Sequence, residues 1–257
     1  HNGRHAFDEA CDALVRFRAA GGAVCLITNA PVPKAQVLQY FEPLGVPANA
    51  FDECVSSGDA TREVLKAASD KTFWRLGADE GWEHDQFLYD GLGLKFGDAA
   101  DADTILCIGL EDQFNDEPED YRPRLAAAAQ RGMNMICANP DMKVRIGDRL
   151  HWCAGALAQV FEQEGGNVIY PGKPHAPIYD LALRKLSGLG HVPGQGRVLC
   201  IGDSPATDML GASLQGYDGL YVGTGLKQHG SDFASEVREL LSAYDASAVW
   251  AMPHLVW

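Results

Sequence analysis

The sequence predicts an α/β fold: a Rossmann-like, doubly wound parallel sheet into which a second, smaller α/β unit is inserted. Three observations predict it. Short apolar runs recur along the chain and alternate with longer helical patterns, as strands joined through crossover helices do. The runs are nearly continuous in apolar residues, as strands covered on both faces tend to be. The texture then changes between about residue 70 and residue 120, where acids and aromatics crowd together.

Each element has its own reason. Residues 7–20 place Cys11, Leu14, Val15 and Phe17 near one helical face, and Gly21-Gly22 stops the helix. Residues 23–28 are too short and too continuous for an amphipathic helix and read as a buried strand. Residues 34–44 form a helical pattern that ends at Gly45. Residues 104–109 read as the next buried strand. A helix over 121–131 stops at Gly132, and residues 133–138 are again strand-like. A helix over 176–186 ends near Gly188 and Gly190, and residues 198–202 form the last clear strand. The core is assigned to 1–58 and 167–257, the insert to 59–166. Trp74 and Trp82, in the insert, are expected to pack rather than bind. The acidic stretch 111–120 reads as a solvated connection.

Composition excludes several functions. Hydrophobic residues make up 46% and charged residues 22%, so a buried core is expected. Lys and Arg number 21 against 35 Asp and Glu, a net charge of −14. Such a chain lacks the electrostatic footprint for duplex nucleic acid or an anionic membrane surface. No apolar run approaches the roughly 18 residues of a membrane helix, and no basic-then-apolar signal peptide opens the sequence. The seven cysteines are odd in number and contain no CxxC pair. Cys25, Cys107, Cys137 and Cys200 lie in strand-like runs, so buried reduced thiols and a cytoplasmic location are expected.

Three places carry chemistry. The strand at 198–202 runs into Asp203-Ser204-Pro205, and Asp208 follows five residues after Asp203. Carboxylates at a strand's C-terminal end sit at the ligand-binding edge of an open sheet, and hard oxygen ligands suit Mg²⁺. The same residues also suit a turn and the first turn of a helix. The strand at 23–28 ends in Thr28-Asn29, whose hydroxyl and following N–H groups can hold a phosphate or simply form a turn. Tyr170-Pro171-Gly172-Lys173-Pro174 is a loop stiffened by two prolines. It would pre-position the Lys173 ammonium to offset charge, or leave it an ordinary surface lysine.

Order and spacing join the three. Thr28-Asn29, a long insertion, Gly172-Lys173-Pro174 and then Asp203 to Asp208 resemble the second, third and fourth motifs of the haloacid dehalogenase-like superfamily. Ala138-Asn139-Pro140-Asp141, Ser56-Ser57-Gly58, Ile178-Tyr179 after the lysine loop, and Val222-Gly223-Thr224-Gly225 look like its class IIA phosphatases, which carry an α/β cap. The resemblance implies Mg²⁺ held by Asp203, with Asp208 as a second ligand or as the residue that orients Lys173 and a metal-bound water. It implies that Thr28 and the Asn29 amide hold the phosphoryl group, that Lys173 neutralises its charge, and that Ser204 adds a hydrogen bond. Asn139 and Asp141, with His151 and Trp152, are the cap-side candidates for substrate binding. The implied substrates are small phosphorylated metabolites: sugar phosphates, phosphoglycolate, pyridoxal phosphate or aryl phosphates. Members of the family often associate through the cap, so a homo-oligomer is also in view.

The family's nucleophile is an aspartate at the end of its first strand. His1-Asn2-Gly3 looks like the turn after that motif, so the nucleophile is expected upstream of His1. Asp8 and Asp12 fall on a helix and cannot replace it. The alternative is a non-catalytic phosphate-ester or metabolite binder that keeps Thr28, Lys173 and Asp203. A nucleotide-binding α/β protein is a third reading, and the absence of a third glycine after Gly223 and Gly225 counts against it. The histidines form no zinc cluster, and no G-x-S-x-G elbow marks a serine hydrolase.

Overall fold

A computed structural model describes residues 5–78, 83–146, 149–191, 197–224 and 232–257. The chain runs α1 (Asp8–Ala19), β1 (Cys25–Thr28), α2 (Lys34–Leu44), β2 (Glu53–Ser56), α3 (Ser57–Ala67), β3 (Thr72–Leu76), β4 (Lys95–Phe96), β5 (Thr104–Cys107), α4 (Arg122–Gln130), β6 (Asn134–Cys137), β7 (Lys143–Ile146), β8 (Arg149–Trp152), α5 (Ala154–Gln163), β9 (Asn167–Ile169), α6 (Ala176–Gly188), β10 (Leu199–Gly202), α7 (Leu210–Gln215), β11 (Asp218–Val222), α8 (Phe233–Ser242) and β12 (Trp250–Met252). The strand–helix alternation expected from the sequence is present; the β10-β11-β12 and β4-β3-β5-β6-β9 sheets are parallel, and β7 and β8 pair antiparallel. His1-Asn2-Gly3, Trp82 and Gly225 lie outside the described residues. Among the described residues, no helix is long and apolar enough to cross a membrane.

The chain divides into two compact units. The first comprises His1–Leu26, Tyr40–Cys54 and Lys173–Trp257. Its sheet has the order β10-β11-β12. Met209, Tyr221, Val237 and Leu241 form a buried cluster between β11, α8 and the turn before α7. At the start of the chain, Asp52 ties Val24 to Arg18: its carboxylate accepts the Val24 N–H at 2.8 Å and the Arg18 guanidinium at 2.5 Å. Burial opposes ionisation of Asp52, but the hydrogen bonds from Arg18 and Val24 outweigh it and hold its pKa below the usual value.

The second unit comprises Ile27–Gln39 and Val55–Gly172. It holds a five-stranded parallel sheet of order β4-β3-β5-β6-β9. Side chains alternate faces along each strand, and here both faces are covered. Ile105 and Cys107 of β5, with Met135 and Cys137 of β6, pack with Leu125, Leu157 and Phe161. Leu106 and Ile136, between them, pack with Leu65, Phe73 and Leu88. That double burial is why Ile105–Cys107 and Met135–Cys137 contain no polar residue, while Thr104 and Asn134 stand at the strand starts. Residues 27–39 fall with this unit, whereas the sequence assigned 1–58 to the core. Hydrogen bonds explain the grouping: the Gly58 N–H donates to Ala30 O at 3.0 Å, and the Lys34 N–H donates to the Asp59 carboxylate at 3.1 Å.

The thiols follow the strands unevenly. All seven cysteines are free, and Cys107 and Cys137 are buried. Cys25 and Cys200 are only half-buried, because neither of their strands is covered as fully as β5 and β6. The acidic stretch is more ordered than a plain connection. Asp112 accepts N–H bonds from Phe114 and Asn115, and the Tyr121 hydroxyl accepts the Glu111 N–H at 2.6 Å and donates to Asp116.

Candidate active site

In the first unit, three segments assemble one polar group. β10 ends at Gly202, and Asp203 follows at the C-terminal edge of its sheet. A single wide turn over Pro205–Met209 carries the chain back before α7. That turn brings Asp208 over Gly202, where a Cβ would lie 2.2 Å from the Asp208 carboxyl carbon. Only glycine fits there. Asp208 is buried, and both of its oxygens are engaged. Oδ2 accepts the N–H groups of Asp203 and Ser204, each at 3.0 Å. Oδ1 accepts from Lys173 Nζ at 2.6 Å. The Lys173 and Asp208 side chains are only 15% and 11% exposed. Behind the lysine loop, the Tyr179 ring of α6 presses on Gly211 of α7, with no room for a side chain at Gly211.

Asp203 differs from Asp208. Exposed as a residue, it nevertheless has a carboxyl crowded by the surrounding chain. Burial first, and the Asp208 charge second, raise its pKa above the ordinary carboxylate value, although Lys173 opposes them. A carboxyl held in that state gains from a cation. Among the described residues, no three His, Cys, Asp or Glu side chains are grouped to hold a metal ion. Mg²⁺, however, is commonly bound by one or two carboxylates, with water and phosphate oxygens completing its shell. The donor set fits that pattern through Asp203, while Asp208 is committed to the lysine and the loop.

In the second unit, the other predicted residues meet at one turn. Thr28 ends β1, and its Oγ1 accepts the Ala30 N–H at 3.2 Å. Asn29 is 4% exposed, and its Nδ2 donates to Asp141 Oδ1 at 2.9 Å. The Asn139 side-chain oxygen accepts the Asp141 N–H at 3.0 Å. The Ser57 hydroxyl donates to Ala138 O at 2.6 Å. Gly172 closes the group: a Cβ there would lie 2.6 Å from Ser57 Oγ and 2.8 Å from both Asn29 Oδ1 and Pro140 Cδ. The variant Gly172→Ala is therefore expected to lose about 1–3 kcal/mol through overpacking and to shift the adjacent Lys173. Denaturant unfolding measures the first effect and turnover the second; a wild-type value for both would contradict the packing.

His151 and Trp152 are placed differently. His151 Nδ1 lies 3.3 Å from Gln113 O, and its ring meets the edge of Phe114 at 5.2 Å. The Trp152 indole N–H donates to Glu117 at 2.7 Å, and Lys143 sits 3.6 Å over its ring. Their recorded contacts tie the β7–β8 hairpin to the acidic stretch rather than to Asn139 and Asp141.

Sequence reasoning missed Asp59. Its Oδ2 accepts from the Ser56 N–H and hydroxyl, and its carboxylate also accepts the Lys34 N–H. The Ser56 to Asp59 spacing of a capping box was the available signal.

Comparison with known proteins gives consistent results. A HAD-hydrolase-like family model matches residues 170–241, and a model of haloacid dehalogenase-like hydrolases matches residues 1–86. The crystal structure of a haloacid dehalogenase-like family hydrolase from Brucella suis 1330 is 42% identical, with a TM-score of 0.81, covering 88% of this chain and 85% of that one. A p-nitrophenyl phosphatase from Archaeoglobus fulgidus shares the fold at 17% identity, with a TM-score of 0.71, covering 96% and 89% of the two chains. The 5'-nucleotidase YutF of Bacillus subtilis (strain 168) is 24% identical over 255 residues, 97% of this chain and 93% of that protein.

Proposed function

The chain belongs to the haloacid dehalogenase-like hydrolases, and on that premise we propose that it is a cytoplasmic, Mg²⁺-dependent phosphomonoesterase of small phosphorylated metabolites. Sugar phosphates and aryl phosphates are the favoured substrate classes. The observation that carries the proposal is the 2.6 Å Lys173–Asp208 pair held beside Asp203 at the end of β10. Seven free cysteines support the cytoplasm. A net charge of −14 supports small free esters over nucleic acid as substrates.

Phosphate monoesters hydrolyse very slowly without a catalyst, so the site must supply a nucleophile and strong charge neutralisation. In this proposal the nucleophile is an aspartate on a strand upstream of His1. It displaces the alcohol from phosphorus, and water then cleaves the aspartyl-phosphate. Asp8 and Asp12 do not serve, because both lie on α1. A bound Mg²⁺, held directly by Asp203, would polarise the phosphoryl oxygens. Asp208 fixes the Asp203–Ser204 loop and aims Lys173. The Lys173 ammonium offsets charge shared by phosphate and nucleophile. Thr28 and Asn29 hold the phosphoryl group, and the Ser204 hydroxyl adds a donor. Asn139 and Asp141 belong to the turn that backs Asn29.

Orthophosphate release from p-nitrophenyl phosphate and from a hexose phosphate, with Mg²⁺ and with chelator, tests this reading. Turnover that requires Mg²⁺ is expected. Saturable binding of the esters without turnover would instead establish a non-catalytic phosphate-ester binder.

A further inference from the structure

We propose that Asp141 is a positioning residue for Asn29, acting on the carboxamide rather than on the leaving group of the substrate. The inference rests on the phosphatase reading and deepens it. Asn29 and Asp141 are 112 residues apart in sequence and 2.9 Å apart in space. An ionised carboxylate only accepts hydrogen bonds, so Asn29 must turn its NH₂ group toward it. Its Oδ1 then faces Gly172, where a Cβ would come within 2.8 Å. The opposite flip would set oxygen against oxygen. Asp141 therefore fixes the plane of the Asn29 carboxamide, and with it the Thr28–Asn29 turn.

The support beneath Asp141 is rigid on three sides. Asn139 Oδ1 accepts its N–H. Ser57 clamps Ala138 O at 2.6 Å. The start of α5 lies hard against the turn: a Cβ on Gly155 would fall 2.3 Å from Pro140 O and 2.6 Å from Asp141 O. A carboxylate on so firm a base suits holding a neighbour in place. A residue that follows varied leaving groups needs more freedom.

The test uses the full protein with p-nitrophenyl phosphate and a hexose phosphate. Displacing a phosphate-holding group by about 1 Å costs on the order of a hundredfold, so Asp141→Ala should lower kcat about a hundredfold. The loss should be the same factor for both esters, and inorganic phosphate should bind more weakly. Asp141→Asn keeps an acceptor and should retain turnover within a few-fold. The double variant Asn29→Ala/Asp141→Ala should be no slower than Asn29→Ala alone. Losses that differ between the esters, or that add in the double variant, would overturn positioning and make Asp141 a leaving-group contact. Asn29→Ala reads the same contact from the donor side, so unequal losses there count against the proposal even if Asp141→Ala folds poorly. Calorimetric binding of inorganic phosphate separates this idea from the phosphatase reading. A wild-type protein that binds phosphate without turning over either ester defeats the enzyme reading alone. Asp141→Ala binding phosphate as tightly as wild type defeats positioning alone.

Discussion

Lys173→Met is expected to lower turnover about a thousandfold, the upper range for removing one preorganised charge-stabilising group. It is also expected to destabilise the protein by about 3 kcal/mol, because it leaves a buried carboxylate without its cation. Asp208 is 11% exposed on its side chain, and it would keep the Asp203 and Ser204 N–H donors but lose the ammonium at 2.6 Å. Methionine preserves most of the lysine stem, so packing changes little. Stability and catalysis then separate in the double variant Lys173→Met/Asp208→Asn. It should recover much of the lost stability, since neither partner of the pair is left charged without the other, and none of the activity. Urea unfolding and orthophosphate release check both halves. Near wild-type turnover in Lys173→Met would remove the lysine from the chemistry.

Asp203→Asn is expected to abolish Mg²⁺-dependent turnover and yet stabilise the metal-free protein at neutral pH. The sign follows from the raised pKa. Between the ordinary carboxylate value of 3.8 and the raised folded value, the native state holds more protons than the unfolded chain. Stability therefore falls as pH rises through that window, and the deficit persists above it. Asparagine removes the charge that burial and Asp208 both oppose. With chelator present, the variant should melt higher than wild type at pH 7, and the difference should vanish as pH falls below 3.8. A variant that melts lower at pH 7 would show that the Asp203 carboxylate is favourably held without a cation.

Legibility in the sequence tracked continuity and spacing. β5 and β6 were readable because Ile105, Leu106, Met135 and Ile136 face two buried layers, which forbids polar interruptions. The helix over 34–44 was readable from its pattern and from Gly45. β3 was not, since Arg75 breaks its apolar run. β7 and β8 were hidden by Lys143, Arg145 and Arg149, and β9 and β12, three residues each, are too short for any period to register. In the site, Asp203 and Asp208 were legible as a pair at a strand end. The division of labour between them was not, because it depends on the turn at Pro205–Met209 that folds Asp208 back over Gly202. The Asn29–Asp141 contact was unreadable for a different reason: no local pattern links residues 112 positions apart.

The most direct test of the account is the intact mass of the protein, expressed from its native initiator, quenched during turnover of p-nitrophenyl phosphate with Mg²⁺. The account predicts a transient gain of one phosphoryl group, which peptide mapping places on an aspartate upstream of His1. Steady turnover with no covalent species, or a phosphoryl group on any residue between His1 and Trp257, would contradict it.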